Sequence, residues 1–249
     1  MTSGHVAVID GSTSKSPNSI INGISNGRAA MLALKDIISR LHPSCTLSEF
    51  CTIATSEIME KYRSHGISIQ YLKDHPEGRL TASVALLSIA RREVWLIGDC
   101  QCLADGIYYD NPKPEEGTIA NHRSEIIRDL LARGEATVSS LQDNDIAREA
   151  IVGDIVKTCF RQNIDFATVD GFPIAEDKVK VVNLAGCHEV VLATDGYPFL
   201  HPTLKASEDA LARQLSEDPL CYLTFKATKG LKTGQVSFDD RAYVRVSLD

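Results

Sequence analysis

Residues 80–109 read LTASVALLSIARREVWLIGDCQCLADGIYY, and this stretch decides the fold. It holds three short apolar runs, at 81–90, 93–97 and 101–109, separated by turn residues. Arg91-Arg92 joins the first pair and Gly98-Asp99-Cys100 the second, so the segment predicts an antiparallel meander. Asp105-Gly106 reads as a plain turn inside the last run, and Arg91-Arg92 as a solvated hairpin turn. Trp95, the one tryptophan, sits mid-strand and is expected in the core.

Towards the N-terminus, residues 5–9 are an apolar run that stops at Asp10-Gly11, which predicts a buried strand ending in a turn. His5 lies on it and reads as structural. Residues 12–22, rich in Ser, Asn and Pro, predict a loop. After Asn26, Ala30, Leu32, Ala33, Leu34, Ile37, Ile38 and Leu41 recur at helical spacing until His42-Pro43. Thr46 with Glu49 makes a capping-box pattern for a second helix, which Gly66 stops.

Towards the C-terminus, residues 111–117 carry two prolines and predict a loop. Helical segments are expected over 124–133 and 145–161, and strands over 178–184 and 188–193. A helix over 207–215, a second helical segment over 218–227 and a strand over 242–248 close the chain. Strands come in runs and do not alternate singly with helices. That pattern argues against a doubly wound parallel fold and favours sheets packed face to face with helices outside. No repeat or linker splits the sequence, so residues 1–249 read as a single domain.

The bulk numbers exclude some function classes. With 249 residues and 43% hydrophobic content, a sizeable core is available. The net charge of -7, with no basic run, repels nucleic acid and anionic membranes. The opening MTSGHVAVIDG lacks a charged segment followed by an apolar one, so no signal peptide is expected. No apolar stretch reaches the roughly 18 residues of a membrane helix. The seven scattered cysteines include no CxxC pair, and Cys100 and Cys102 are too close for a zinc knuckle. They read as reduced thiols of a cytoplasmic protein. The seven histidines show no HxH or HxxxH spacing, which also speaks against zinc.

Chemistry concentrates where apolar runs end in an acid: Val-Ile-Asp10-Gly11, Leu-Ile-Gly98-Asp99, Leu-Ala-Thr194-Asp195-Gly196 and Phe-Asp239-Asp240. A strand end is a rigid platform, and aspartate is short and offers hard oxygen ligands. Several such ends meeting at one edge of a sandwich would hold magnesium or manganese. Asp170-Gly171 reads instead as a turn.

In their order and flanks these motifs resemble the metal-dependent protein phosphatases of type 2C, the PPM family. Val8-Ile9-Asp10-Gly11 matches its Val-x-Asp-Gly, Ile97-Gly98-Asp99 its hairpin Gly-Asp, and Leu192-Ala193-Thr194-Asp195-Gly196 its Leu-Ala-Ser-Asp-Gly. Thr81-Ala82-Ser83 fits its small-residue segment, and Asp239-Asp240-Arg241-Ala242 its closing Asp-Asn/Asp-x-Thr, with Ala242 in the Thr place. The resemblance implies an α+β fold, a four-layer αββα sandwich of two antiparallel sheets flanked by helices. It implies two Mn or Mg ions held by Asp10, Asp195 and Asp239 with the Gly11 carbonyl, and a third, weaker site at Asp99. A water shared by two such ions about 3.5–4 Å apart would attack phosphorus in line. The substrate would be phosphoserine or phosphothreonine in a protein, or a small phosphoester, with residues 111–117 and 160–174 shaping the choice.

The sequence departs from that family in three places. With nine residues before Asp10, the arginine that holds the substrate phosphate is not expected, and Lys15 or Arg28 would have to substitute. Ser12 stands where many members have His, and Gln101 where they have Arg. These departures keep a second reading open, a metal-binding pseudophosphatase acting as a regulatory module. Two further readings carry less of the sequence. Asp10 to Lys15 is similar to the phosphate loop of sugar kinases and actin-like ATPases but lacks its spacer residue, and Thr2 would serve an N-terminal-nucleophile hydrolase.

Overall fold

The computed structural model describes residues 4–13, 15, 19–21 and 23–249. Thr2 and part of the loop expected over 12–22 lie outside the described residues. The strands are β1 (His5–Gly11), β2 (Ala82–Ser88), β3 (Glu93–Ile97), β4 (Gln101–Ala104), β5 (Ile107–Tyr109), β6 (Lys180–Asn183), β7 (Glu189–Ala193) and β8 (Tyr243–Ser247). They form two four-stranded sheets, β1-β2-β3-β6 and β5-β4-β7-β8, antiparallel throughout. The helices are α1 (Asn26–Arg40), α2 (Leu47–Ser64), α3 (Ile69–Asp74), α4 (Glu116–Ala132), α5 (Val138–Asp143), α6 (Ile146–Cys159) and α7 (Leu204–Glu217). The fold is therefore α+β, with two antiparallel sheets and helices.

The chain divides into two compact units. One comprises residues 1–113, 159–195 and 242–249, and the other 114–158 and 196–241. Both sheets belong to the first unit. The two-residue period of β1 splits its side chains between two cores. Val6 and Val8 pack with Ala85, Leu87, Val94 and Leu96, and with Cys102, Val190 and Leu192 of the other sheet. Ala7 and Ile9 face the opposite way, with Val84, Leu86, Trp95 and Ile97, onto Ala30, Leu34 and Ile37 of α1 and Phe50, Ala54 and Ile58 of α2. The first sheet is thus covered on both faces, which is why β2 reads as one continuous apolar run and not an alternation. Each fully buried Leu or Val here contributes about 1.5–3 kcal/mol relative to exposure.

The helices start where the caps are. Ser25 accepts from the backbone N–H of Arg28 at the head of α1. Thr46 and Glu49 form the reciprocal capping box at the head of α2. Gly66 lies at φ 68° just beyond α2. In the second unit, Ile127, Leu141, Ala147 and Leu220 make one apolar cluster, and Leu211, Leu215, Cys221 and Phe238 another.

Several expectations are corrected. The strand expected over 5–9 continues through Asp10 and Gly11, because these pair with Ser83 and Ala82. The meander breaks at Gly98-Asp99-Cys100: β3 pairs with β2 and β6, whereas β4 pairs with β5 and β7, so this segment crosses from one sheet to the other. Arg92 is not a solvated turn residue. Its guanidinium donates to the carbonyls of Leu184 (3.4 Å), Leu248 (3.1 Å) and Cys187 (2.6 Å). The helix expected over 218–227 is absent, since the Asp218 carboxylate accepts from the backbone N–H groups of Tyr222 and Leu223 and bends the chain into a turn.

Candidate metal centre

Asp10, Asp99 and Asp195 reach one place from three strand ends. One carboxylate oxygen of each lies within 4.8 Å of the others, and all three residues are half-buried. Alternation along β1 puts Asp10 on the face of Val6 and Val8, at the rim of the space between the sheets. Gly11 follows it, and a Cβ there would stand 2.3 Å from the carbonyl oxygen of Gly27. Only glycine lets the end of β1 lie this close to the first turn of α1.

Asp99 sits on the crossover between the sheets. Gly98 before it has φ 81°, and a Cβ there would fall 2.2 Å from Ser83 Oγ. The missing side chain leaves room for Ser83 Oγ to donate to Asp99 Oδ1 at 2.6 Å. The Lys113 ammonium donates to the other oxygen, Oδ2. Burial pushes the Asp99 carboxyl up, but the charge and hydrogen bond of Lys113, with that of Ser83, outweigh it and hold it below the usual range.

Asp195 follows β7 in a turn clamped from both neighbouring strands. The Thr194 N–H donates to the Ala242 carbonyl at 3.1 Å, and the Ala242 N–H donates back to Thr194 Oγ1 at 2.9 Å. From β4, the buried Gln101 donates Nε2–H to the Thr194 carbonyl at 3.0 Å and accepts from the Tyr108 hydroxyl. Gln101 thus fixes the turn that presents Asp195.

Cys100 is fully buried next to the three carboxylates. Burial first, then Asp10, Asp99 and Asp195, push its thiol well above the ordinary value, so it stays protonated and is a poor nucleophile.

Of the remaining predicted residues, Ser12 extends the β1–β2 ladder by donating to the Thr81 carbonyl. Lys15 Nζ donates to Ser12 Oγ at 2.6 Å and to the Thr13 carbonyl at 3.2 Å. Both line a small cavity with Asn26, Glu77, Arg79 and Cys159. Arg28 is exposed on the first turn of α1. Asp239 belongs to the second unit, where Lys229 Nζ donates to it. Burial pushes its carboxyl up to about 6 against the pull of Lys229. Asp170 is a turn residue but also fully buried, ion-paired with Arg79 at 2.8 Å and bonded by Asn163 and the Phe172 N–H.

The donor set fits a hard divalent cation. Three carboxylates crowd one spot, and all offered atoms are oxygen. Lys113 escapes the sequence reading, and Ser83 and Gln101 enter it only as positions of the resemblance, because their contacts with Asp99 and with the Thr194 carbonyl are not local in sequence.

No protein-family model matches the chain, and no curated protein does. Solved structures do resemble it. A bacterial serine phosphatase matches at 10% identity and TM-score 0.41, over 98% of this chain and 86% of that one. PppA, a key regulatory component of the T6SS in Pseudomonas aeruginosa, matches at 14% identity and TM-score 0.40, over 98% and 86%. The catalytic domain of the serine/threonine protein phosphatase PstP in complex with two manganese ions matches at 11% identity and TM-score 0.32, over 84% of each chain. What the site can do rests on its own residues.

Proposed function

We propose that this protein is a metal-dependent phosphomonoester hydrolase of the type 2C kind, acting on phosphoserine or phosphothreonine or a related phosphoester. One observation carries this reading: Asp10, Asp99 and Asp195, far apart in sequence and each from a motif of the resemblance, bring their carboxylates together. Asp10 and Asp195 would hold Mn or Mg, with the Gly11 carbonyl beside Asp10. Bound there, divalent ions supply a water of lowered pKa and offset charge on the phosphoryl oxygens. The chain's own part is positioning. Gly98 and Ser83 fix Asp99, and Gln101 and Ala242 fix the Asp195 turn.

A second reading, a metal-binding regulator without turnover, is favoured by the lysines on Asp99 and Asp239, which already compensate those carboxylates. The discriminating assay is p-nitrophenyl phosphate hydrolysis with EDTA, Mg or Mn, with Asp195→Asn as control. Turnover that needs metal and disappears in the variant is the expected result. Manganese binding without turnover selects the regulator, and neither binding nor turnover defeats both readings.

A further inference from the structure

A phosphomonoester is an anion, and a protein cation beside the metal ligands would help to hold it in register. Lys15 is bonded to Ser12 Oγ and the Thr13 carbonyl, Arg28 is exposed on α1, and Arg79 is ion-paired with buried Asp170. Lys113 is bonded to a member of the trio itself, Asp99.

The loop that carries Lys113 is built to keep it there. Lys113 lies between Pro112 and Pro114, which fix their own φ and bar Lys113 from helical backbone. Just before them, Asn111 donates its Nδ2–H groups to the carbonyls of Leu96 (3.1 Å) and Lys178 (3.0 Å). Leu96 is two residues from Gly98-Asp99, so one carboxamide ties the lysine loop to the strand end that presents Asp99. The Lys113 side chain is still 30% exposed.

We infer that Lys113 is the residue that binds and positions the substrate phosphoryl group, an inference that rests on the metal-dependent reading above. An ammonium carries three N–H donors and so can bridge Asp99 and a phosphoryl oxygen at once. It binds as a point charge and not as a planar fork, which suits phosphomonoesters of varied shape.

The test compares Lys113→Ala, Lys113→Gln and Lys113→Arg with wild type, in manganese. The readouts are KM and kcat for p-nitrophenyl phosphate, inhibition by inorganic phosphate, and manganese affinity. Loss of a charge-assisted bond to phosphate raises KM and the phosphate inhibition constant about tenfold to a hundredfold in the Ala and Gln variants. Manganese binding is as tight as wild type or tighter, because a neighbouring positive charge is gone, and Lys113→Arg recovers part of the loss. Unchanged KM and phosphate inhibition in Lys113→Ala overturn the inference while leaving the hydrolase reading intact. So does a loss of manganese affinity that accounts for the whole effect, since Lys113 would then only brace Asp99. If wild type binds manganese but turns nothing over, broadening of the phosphorus-31 signal of inorganic phosphate by the bound manganese replaces the kinetics. Broadening lost in Lys113→Ala supports the inference, and equal broadening overturns it. A wild type that binds no manganese overturns the metal reading and this inference with it.

Discussion

At the scale of single residues, Gly98 is constrained twice over, by its backbone angle and by its neighbour. Its φ of 81° strains any residue with a Cβ, and that Cβ would meet Ser83 Oγ at 2.2 Å. Gly98→Ala is expected to lower the melting temperature and to weaken manganese binding together, because Asp99 must shift with Ser83. Ser83→Ala should affect binding with a smaller cost in stability, about 1–2 kcal/mol. A melting curve and a manganese titration on both variants check this. Arg79 is constrained for a different reason. Its partner Asp170 is fully buried, and the guanidinium also stacks 4.1 Å from the Phe172 ring centroid. Arg79→Leu strands that carboxylate at a cost of about 3–5 kcal/mol in chemical denaturation, and adding Asp170→Asn recovers part of it.

Asp239 gives a pH dependence whose sign can be worked out. Its folded pKa is raised from 3.8 to about 6, chiefly by burial. The folded state therefore takes a proton more readily than the unfolded chain, and the stability that follows is fully present below 3.8 and is lost as pH rises through about 6. Metal-free wild type should gain stability between pH 8 and 4.5 relative to Asp239→Asn, which cannot titrate there. Urea unfolding of both proteins across that range, in EDTA, checks it, and parallel curves would contradict the burial argument.

At the scale of elements, the legible parts of the sequence were those whose signal is local. The β2 and β3 runs are apolar because both faces of their sheet are covered, and α2 announces itself through Thr46 and Glu49. Thr46→Ala should cost about 1 kcal/mol, seen as earlier melting with no change in manganese affinity. What stayed hidden depended on contacts distant in sequence. Nothing in Gly98-Asp99-Cys100 distinguishes a hairpin turn from a crossover between sheets. The difference lies in β4 finding β7, some ninety residues away, as its partner. The short α3 is capped by Ser68 but carries only one fully buried residue, Leu72, too little periodicity to read. Residues 218–227 look helical until Asp218 turns back on its own backbone. The aspartates of the centre were visible as strand ends, whereas the parts played by Ser83, Gln101 and Lys113 became visible only when the fold set them beside Asp99 and Thr194.

At the scale of the whole molecule, the two compact units rest on different kinds of core. The first has two broad apolar clusters shared among strands and helices. The second has smaller clusters and, among its helices, a fully buried arginine. Arg123 donates to Asp145 through Nε (3.1 Å) and Nη2 (2.6 Å), and through Nη1 to the carbonyls of Leu220 (2.9 Å) and Ala227 (3.0 Å). One side chain of α4 thereby ties the residue just before α6 to the irregular segment after α7, which has few backbone partners of its own. Arg123→Met keeps the volume of the stem but removes two hydrogen bonds from Asp145, which keeps the Arg148 N–H, and strands two carbonyls, a loss of about 3–5 kcal/mol. Because those partners all lie within 114–158 and 196–241, the damage should be regional. Hydrogen exchange followed by mass spectrometry should show faster exchange in 116–132, 146–158 and 218–231, with β1, β2 and β3 still protected. Uniform loss of protection would instead mean that the two units unfold as one cooperative body, with Arg123 supporting both.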